Sequence, residues 1–518
     1  MKALPSKLDS IGNELSQKRR DYSRLNWTKY TTGFDFGINE AYAGIVEFLR
    51  DETRWSTIVD AGINPSDPVE ARKAEILRKA FRPFHLSNEM TVLASDMQKL
   101  TSRLSAVLNT HRFKVDGVEK SGPEIGRILS ESTDRELRRK AFLSRTSVAE
   151  PLIENGFLDL LQMRREYAEG MGRENFVAHS LEEQELEPEL FKSWPAEVKR
   201  AVPAMMNTRA EFAREFTGSD EVMPWDEAYI ASAIAPQLHQ EVDMSGFLDP
   251  IADLFNMFGF DVRSMNITYD IFPRKHKSEW GYNFPIETGA DSRILANVSN
   301  RFNEFRVLLH ETGHGVHSFT SSPDETVLNM GISGITSEGI ANLFGSFRTR
   351  EVFYSRFFSE ETLERARKSF RKLDTWARAG QLLNVGRILF DAGLHTENPT
   401  SLKEIEDLRW KTEEDLFGTA PYAHRPVWAN TIHHTTHPVY LHNYLLGDLM
   451  CDMLETVFLK REGISDLTEK PAEFGDFLRE EVIAPSGRYT FPELFKKISG
   501  EDLSLSLMVD RIEQELSV

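Results

Sequence analysis

Apolar positions recur at spacings of three and four through most of the chain, and that period predicts a mainly α-helical protein. Residues 7–240 read as successive amphipathic helices. Leu93, Met97, Leu100, Leu104, Val107 and Leu108 form one such stripe, the face a helix turns toward a core. Thr133-Asp-Arg-Glu136 has the form of a capping box opening the next helix, and Asn155-Gly, Gly170-Met-Gly and Pro203 punctuate later ones. The period changes over residues 262–299. Segments 262–270, 281–285 and 293–299 are short, extended and separated by turn residues, which predicts a small β-sheet. Helical spacing then returns to the end, with residues 373–394 reading as one long helix. No fixed repeat or low-complexity tract divides the 518 residues. The expected organisation is one unit with a mostly helical region 1–240 and a second region 241–518.

The formal net charge of −19 disfavours a nucleic-acid partner, which needs clustered Lys and Arg. Cys451 stands alone, so no intrachain disulfide and no Cys-rich metal site can form. No apolar run approaches a membrane span and the N-terminus lacks an apolar signal core, which predicts a cytoplasmic protein.

Histidine is scarce, 14 in the chain, yet two stand four apart in His310-Glu-Thr-Gly-His314. On a helix these lie one turn above each other and can share a metal ion, while the Glu311 carboxylate faces the open coordination position, where an attacking water needs a base. A catalytic zinc requires a third protein ligand. The histidine that metzincins place next would fall at Thr320, which excludes that family. His317 lies on the same face as His310, but seven residues span about 10 Å of helix axis, so a packing or supporting role is expected of it. Glu338, in Thr336-Ser-Glu-Gly-Ile-Ala-Asn-Leu-Phe-Gly, suits the task if Thr336 or Ser337 caps a helix whose first turn presents it. Asn342, one turn on, is placed either to accept the free ring N–H of a ligating histidine or simply to be solvated. One zinc ion per chain, held by His310, His314 and Glu338, is therefore expected.

The sheet just before the motif has two readings: an edge strand that pairs with an extended peptide, or a buttress for the helix. A second chemical cluster is Asn430-Thr-Ile-His-His-Thr-Thr-His-Pro-Val-Tyr-Leu-His-Asn-Tyr444. Amide hydrolysis builds negative charge on the former carbonyl oxygen, and a Tyr hydroxyl or His N–H is a suitable donor to it. Tyr440 and Tyr444, four apart, can share one face; core packing with paired polar tips is the alternative.

Five stretches together resemble the thimet oligopeptidase and oligoendopeptidase F family of zinc peptidases, gluzincins with angiotensin-converting enzyme as a near relative. They are His310–His314, Ser337-Glu-Gly-Ile-Ala-Asn342, Phe390-Asp-Ala-Gly-Leu-His395, Trp428 through Gly447, and Ile483-Ala-Pro-Ser-Gly-Arg-Tyr-Thr-Phe-Pro-Glu-Leu-Phe. The resemblance covers most of the chain after about residue 270. It implies a two-lobed helical zincin-like metallopeptidase with a deep substrate channel admitting short unfolded peptides. It also places His434 and Tyr444, ten residues apart, where the family carries a His and a Tyr that bind the transition state. Lys275-His276-Lys-Ser-Glu-Trp280 resembles a strand entry along which substrate lies in the converting-enzyme branch. Asn342 in place of an aspartate, and His442 in place of a frequent tyrosine, depart from the pattern. The expected activity is zinc-dependent hydrolysis of internal bonds of short peptides, with Glu311 as general base and Tyr444, His434 and more weakly Tyr440 as oxyanion donors. One alternative is a zinc carboxypeptidase or dipeptidyl carboxypeptidase in which Arg425 or Arg488 closes the channel. Another is an inactive helical peptide-binding scaffold.

Overall fold

In a computed structural model, residues 6–63, 65–278 and 281–516 are described. Helices dominate, as the apolar period predicts, and no described helix is long and apolar enough to cross a membrane. The chain divides into two compact units, each assembled from separated segments. The first comprises residues 1–86, 239–359 and 446–503, and the second 87–238, 360–445 and 504–518.

The first unit holds a three-stranded sheet between two helices. After a separate two-stranded hairpin, β1 (Phe113–Val115) and β2 (Val118–Lys120), in the second unit, the chain forms β3 (Ile267–Asp270), β4 (Tyr282–Glu287) and β5 (Asp291–Leu295). Their order is β3-β5-β4, with β5 parallel to β3 and antiparallel to β4, so β4 occupies an edge of the sheet. Of predicted segment 262–270 only the last four residues are strand; Gly259 and a run of tight turns precede them. Helix Lys7–Thr32 opens with a capping box between Ser6 and Asp9 and covers one sheet face. Trp27 and Tyr30 meet Phe284 edge-on at 5.4 and 5.6 Å, and Arg20 pairs with Glu287. Helix Phe305–Thr320 covers the other face, burying Phe305, Leu308, Leu309 and Val316, each contributing about 1.5–3 kcal/mol by leaving water. Thr312 Oγ1 donates to the Leu308 carbonyl (2.6 Å), so Tyr269 of β3 donates its hydroxyl to Thr312 (3.1 Å) and fastens the sheet to this helix.

The turn leading into β4 is pinned by Lys277, whose side chain is fully buried. Its ammonium donates to the carbonyls of Asp270 (2.8 Å), Phe272 (2.9 Å) and Ala296 (2.6 Å) and pairs with the Asp270 carboxylate (2.9 Å), satisfying a charge that would otherwise be too costly to bury. Glu279 and Trp280, the end of the predicted strand entry, lie outside the described residues.

In the second unit the predicted stripe lies on helix Asn88–Thr110. Leu100 and Leu104 are buried against Leu152, Phe157, Leu160, Phe390 and Trp428, with Met97, Val107 and Leu108 at the margin. Two local expectations are corrected. Asp134, not Thr133, caps helix Arg135–Ser144, because its carboxylate accepts from the Glu136 and Leu137 amides. The helix expected over 373–394 is two, Glu360–Gly380 and Asn384–Thr396, separated by a tighter turn over Gln381–Leu383, where Gly380 lowers helical propensity.

Candidate metal centre and its surroundings

The His310 and His314 rings project from successive turns of helix Phe305–Thr320, their centroids 4.7 Å apart and their planes perpendicular. Helix Gly334–Ser346 lies against it and brings in Glu338. His310 Nε2 and His314 Nε2 each stand 3.7 Å from a different oxygen of that carboxylate. The three donor atoms all fall within 4.8 Å of one another, a grouping of three that recurs nowhere else among the described residues. Ligands about 2.1 Å from a tetrahedral zinc are roughly 3.4 Å apart, so two imidazoles and a carboxylate at this spacing fit the ion, with a position left open. Protonation agrees with ligation. Burial pushes His310 down to about 4 and His314 down to about 3, so both rings are neutral at pH 7. His317, buried in the last turn, is outside the donor set.

The supporting contacts differ from expectation in an informative way. The cap of helix Gly334–Ser346 is Ser333, which accepts from the Ile335 amide, so Glu338 sits in the second turn rather than the first. Ser337, freed from capping, lies 2.8 Å from His314 Nδ1 and accepts its N–H when Nε2 faces the metal position. Asn342 does hydrogen-bond His310, and its amide then donates to the Asp448 carboxylate at 3.0 Å. The negative charge expected at position 342 is thus present one residue further back, on Asp448, and reaches the imidazole through the amide. We expect Ser337→Ala to lower zinc affinity by about 10- to 100-fold with the fold intact, as measured by competition with a chromophoric chelator. Unchanged affinity would show that packing alone orients His314.

Glu311 is buried beside these donors. Burial first, and the neighbouring Glu338 charge second, push its carboxyl up to about 8, opposed by a hydrogen bond from the Asn283 backbone N–H on β4. A doubly charged cation among the ligands acts in the opposite sense on both carboxylates. Gly281 at the entry to β4 is also close: a Cβ there would lie 3.5 Å from Glu311 Oε1. The edge strand and the carboxylate are therefore neighbours.

The predicted residues His434, Tyr440 and Tyr444 belong to the second unit. Tyr440 and Tyr444 are 40% and 45% exposed and their rings meet edge-on at 5.6 Å, so they are not core aromatics. His433, which sequence reasoning passed over, stacks on Tyr440 and lies 3.4 Å from the Tyr444 hydroxyl. His434 is buried, with Nδ1 3.0 Å from Asp391 Oδ1. Burial pushes the Asp391 carboxyl up, but hydrogen bonds from His434 and the Val439 amide (2.6 Å) outweigh it and bring the group below its ordinary value. Because Asp391 is then acceptor-only, His434 Nδ1 carries the proton. Arg164 donates to His395 Nε2 (3.3 Å) and to the Thr435 carbonyl (2.6 Å), so His395 Nδ1 donates to the Asp391 carbonyl (2.9 Å). The sequence signal for this network was an aspartate set among apolar helix positions in Phe390–His395. His442 is fully buried against Phe191 with neither ring nitrogen hydrogen-bonded, and burial lowers it to about 4. Arg488, offered as a channel-closing residue, is already paired with Glu325 at 2.7 Å.

No protein-family model matches the chain, and no curated protein does. Solved structures do. One described as PZ peptidase A with inhibitor 2 superposes with a TM-score of 0.69 at 18% identity, over 99% of this chain and 97% of that one. An M32 carboxypeptidase from Deinococcus radiodurans R1 gives 0.69 at 13% identity, over 98% of each. At such identities the likeness is one of fold: a mainly helical architecture shared with peptidases along essentially its whole length.

Proposed function

We propose that the protein is a zinc-dependent oligopeptidase acting on short unfolded peptides. The observation that carries this reading is the His310–His314–Glu338 donor set with the Glu311 carboxyl on the same helix turn. A zinc ion held by those three residues supplies Lewis acidity toward a substrate carbonyl and makes water easier to deprotonate. Glu311 takes the proton of the attacking water and passes it to the leaving amine nitrogen. The β4 edge, beside Glu311, supports pairing with an extended peptide backbone and so a tolerance of many side chains.

Tyr444 and His434 donate to the oxyanion in this reading, with Tyr440 secondary, in keeping with the resemblance to the oligopeptidase and converting-enzyme group. The two donors are not equivalent. With Nδ1–H directed at Asp391, His434 donates from Nε2 only as an imidazolium, and burial lowers its pKa. Tyr444 is therefore the donor available at neutral pH, and His434 adds to it on the acid side. A cytoplasmic setting fits the single cysteine, Cys451, which leaves no intrachain disulfide to form.

A zinc carboxypeptidase is the second reading, favoured by the neighbour described as an M32 carboxypeptidase. The test is a peptide library analysed by mass spectrometry. Turnover is expected to vanish with a chelator and return with about one equivalent of zinc per chain. Internal cleavage products support the oligopeptidase, and loss of one or two C-terminal residues the alternative. No cleavage of any peptide by zinc-loaded protein overturns both and favours a binding scaffold.

A further inference from the structure

Among the described residues six other than glycine have a positive φ, and Val439, at +51°, is the one with a β-branched side chain. That side chain crowds the backbone in the left-handed region, so valine is poorly suited to the conformation it holds there. Something must hold it. Val439 lies in the connection 437–441 between helix Ile432–Thr436 and helix His442–Glu462, and both its backbone polar groups are gripped by side chains from elsewhere in the second unit. Its N–H donates to Asp391 Oδ2 at 2.6 Å, and its carbonyl accepts from Gln184 Nε2 at 3.1 Å. Asn443, in the first turn of the second helix, donates to Gln184 Oε1 at 2.9 Å. Arg164 donates to the Thr435 carbonyl, near the end of the first, at 2.6 Å.

The Asp391 carboxylate joins the two sides of this turn. Oδ1 holds the His434 ring at 3.0 Å, from the helix before it, while Oδ2 holds Val439 within it. Beyond the turn the chain runs into Tyr440 and Tyr444, whose rings come back to His433. Tyr440 lies nearly parallel to that imidazole at 6.1 Å, and Tyr444 meets it edge-on at 5.6 Å. The strained turn thus folds the segment so that groups from before and after it face one another, with both tyrosines at the surface.

We propose that Asp391 is a positioning residue that clamps Val439 in its left-handed conformation and His434 by its ring, and so fixes Tyr444 and His434 where they contact the oxyanion. This assignment rests on the peptide-hydrolase reading and deepens it. The two bonds to the carboxylate are not alike. The Val439 N–H can only donate, whereas an imidazole can exchange its tautomer and accept at Nδ1. In Asp391→Asn the amide oxygen therefore stays on Val439 and the NH2 faces His434, so the clamp that Asp391→Ala removes is kept.

The test combines amide hydrogen exchange across residues 435–445 with steady-state kinetics of full-length, zinc-loaded protein on a quenched fluorescent peptide that the wild type cleaves. Asp391→Ala is expected to speed exchange by about tenfold or more and to lower kcat by about 10- to 100-fold, with KM within about threefold. Asp391→Asn is expected to reverse most of both effects. Glycine adopts the Val439 conformation without strain, so Val439→Gly added to Asp391→Ala is expected to raise kcat, although alone it lowers kcat by freeing the turn. Two merely structural lesions would compound instead. Thermal melting reports folding, and if Asp391→Ala does not fold, Gln184→Met, which releases the Val439 carbonyl, is expected to act in the same direction. A folded Asp391→Ala with unaltered exchange and kcat, a loss that Asp391→Asn does not reverse, or an inert Gln184→Met overturns the clamp, as does a compounded loss in the double variant. Exchange that behaves as expected in a protein whose wild-type form cleaves nothing upholds the clamp and overturns the hydrolase.

Discussion

Glu311→Gln is expected to lower kcat/KM for peptide hydrolysis by roughly 10²- to 10⁴-fold while zinc content stays near one ion per chain. The substitution is nearly isosteric. Gln still accepts the Asn283 backbone N–H, leaves the spacing of His310, His314 and Glu338 unchanged, and removes one of two carboxyl groups that repel each other when both are ionised. Stability is therefore expected to hold or rise slightly. What disappears is a group able to take a proton from water and return it to the amine. Elemental analysis reads the metal, and steady-state kinetics with a quenched fluorescent peptide reads the turnover. Activity within tenfold of wild type would assign the base elsewhere.

Gly313→Val is expected to damage the metal centre without touching a ligand. The two helices that carry the donors meet backbone to backbone at this residue. A Cβ on Gly313 would stand 2.9 Å from Ala341 Cα and 3.4 Å from both the Ile340 carbonyl and the Phe344 ring, while Gly345 across the contact leaves room for His310 Cβ. The added isopropyl group must part the helices, at a cost of about 1–3 kcal/mol. His310 and His314 lie on one side of that contact and Glu338 on the other. Binding zinc then has to restore the spacing, so the same cost is expected as an affinity about 10- to 100-fold weaker. Gly313→Ala should fall between wild type and Val. Competition with a chelator and melting of the metal-free protein measure the two effects, and a Val variant of unaltered affinity would show that the helix contact does not set the donor spacing.

Much of the first unit's site was legible because it is local. Two histidines four apart share a helix face whatever surrounds them, and an acidic residue between them occupies a set angle on the same turn. Glu338 also comes to lie beside the two histidines, but its helix starts differently from the reading: Ser337, one of the two residues offered as its cap, is the partner of His314, and the capping is done by Ser333. Side chains that both cap helices and orient ligands look alike in a sequence, and only the approach of the second helix distinguishes them. The Asn342 departure, which seemed to remove a charge from the ligand's support, was resolved by Asp448, more than a hundred residues away.

The sequence by itself determined the helical period, the small sheet ahead of the motif, and the pairing of His310 with His314 and Glu311, because each depends on backbone geometry within a few residues. Tertiary packing decided which side chains those groups meet: Asn283 on Glu311, Asp391 on His434 and Asp448 on Asn342. Those partners come from segments far apart in the chain, and their protonation depends on how much water the fold removes, a quantity that no spacing of residues encodes.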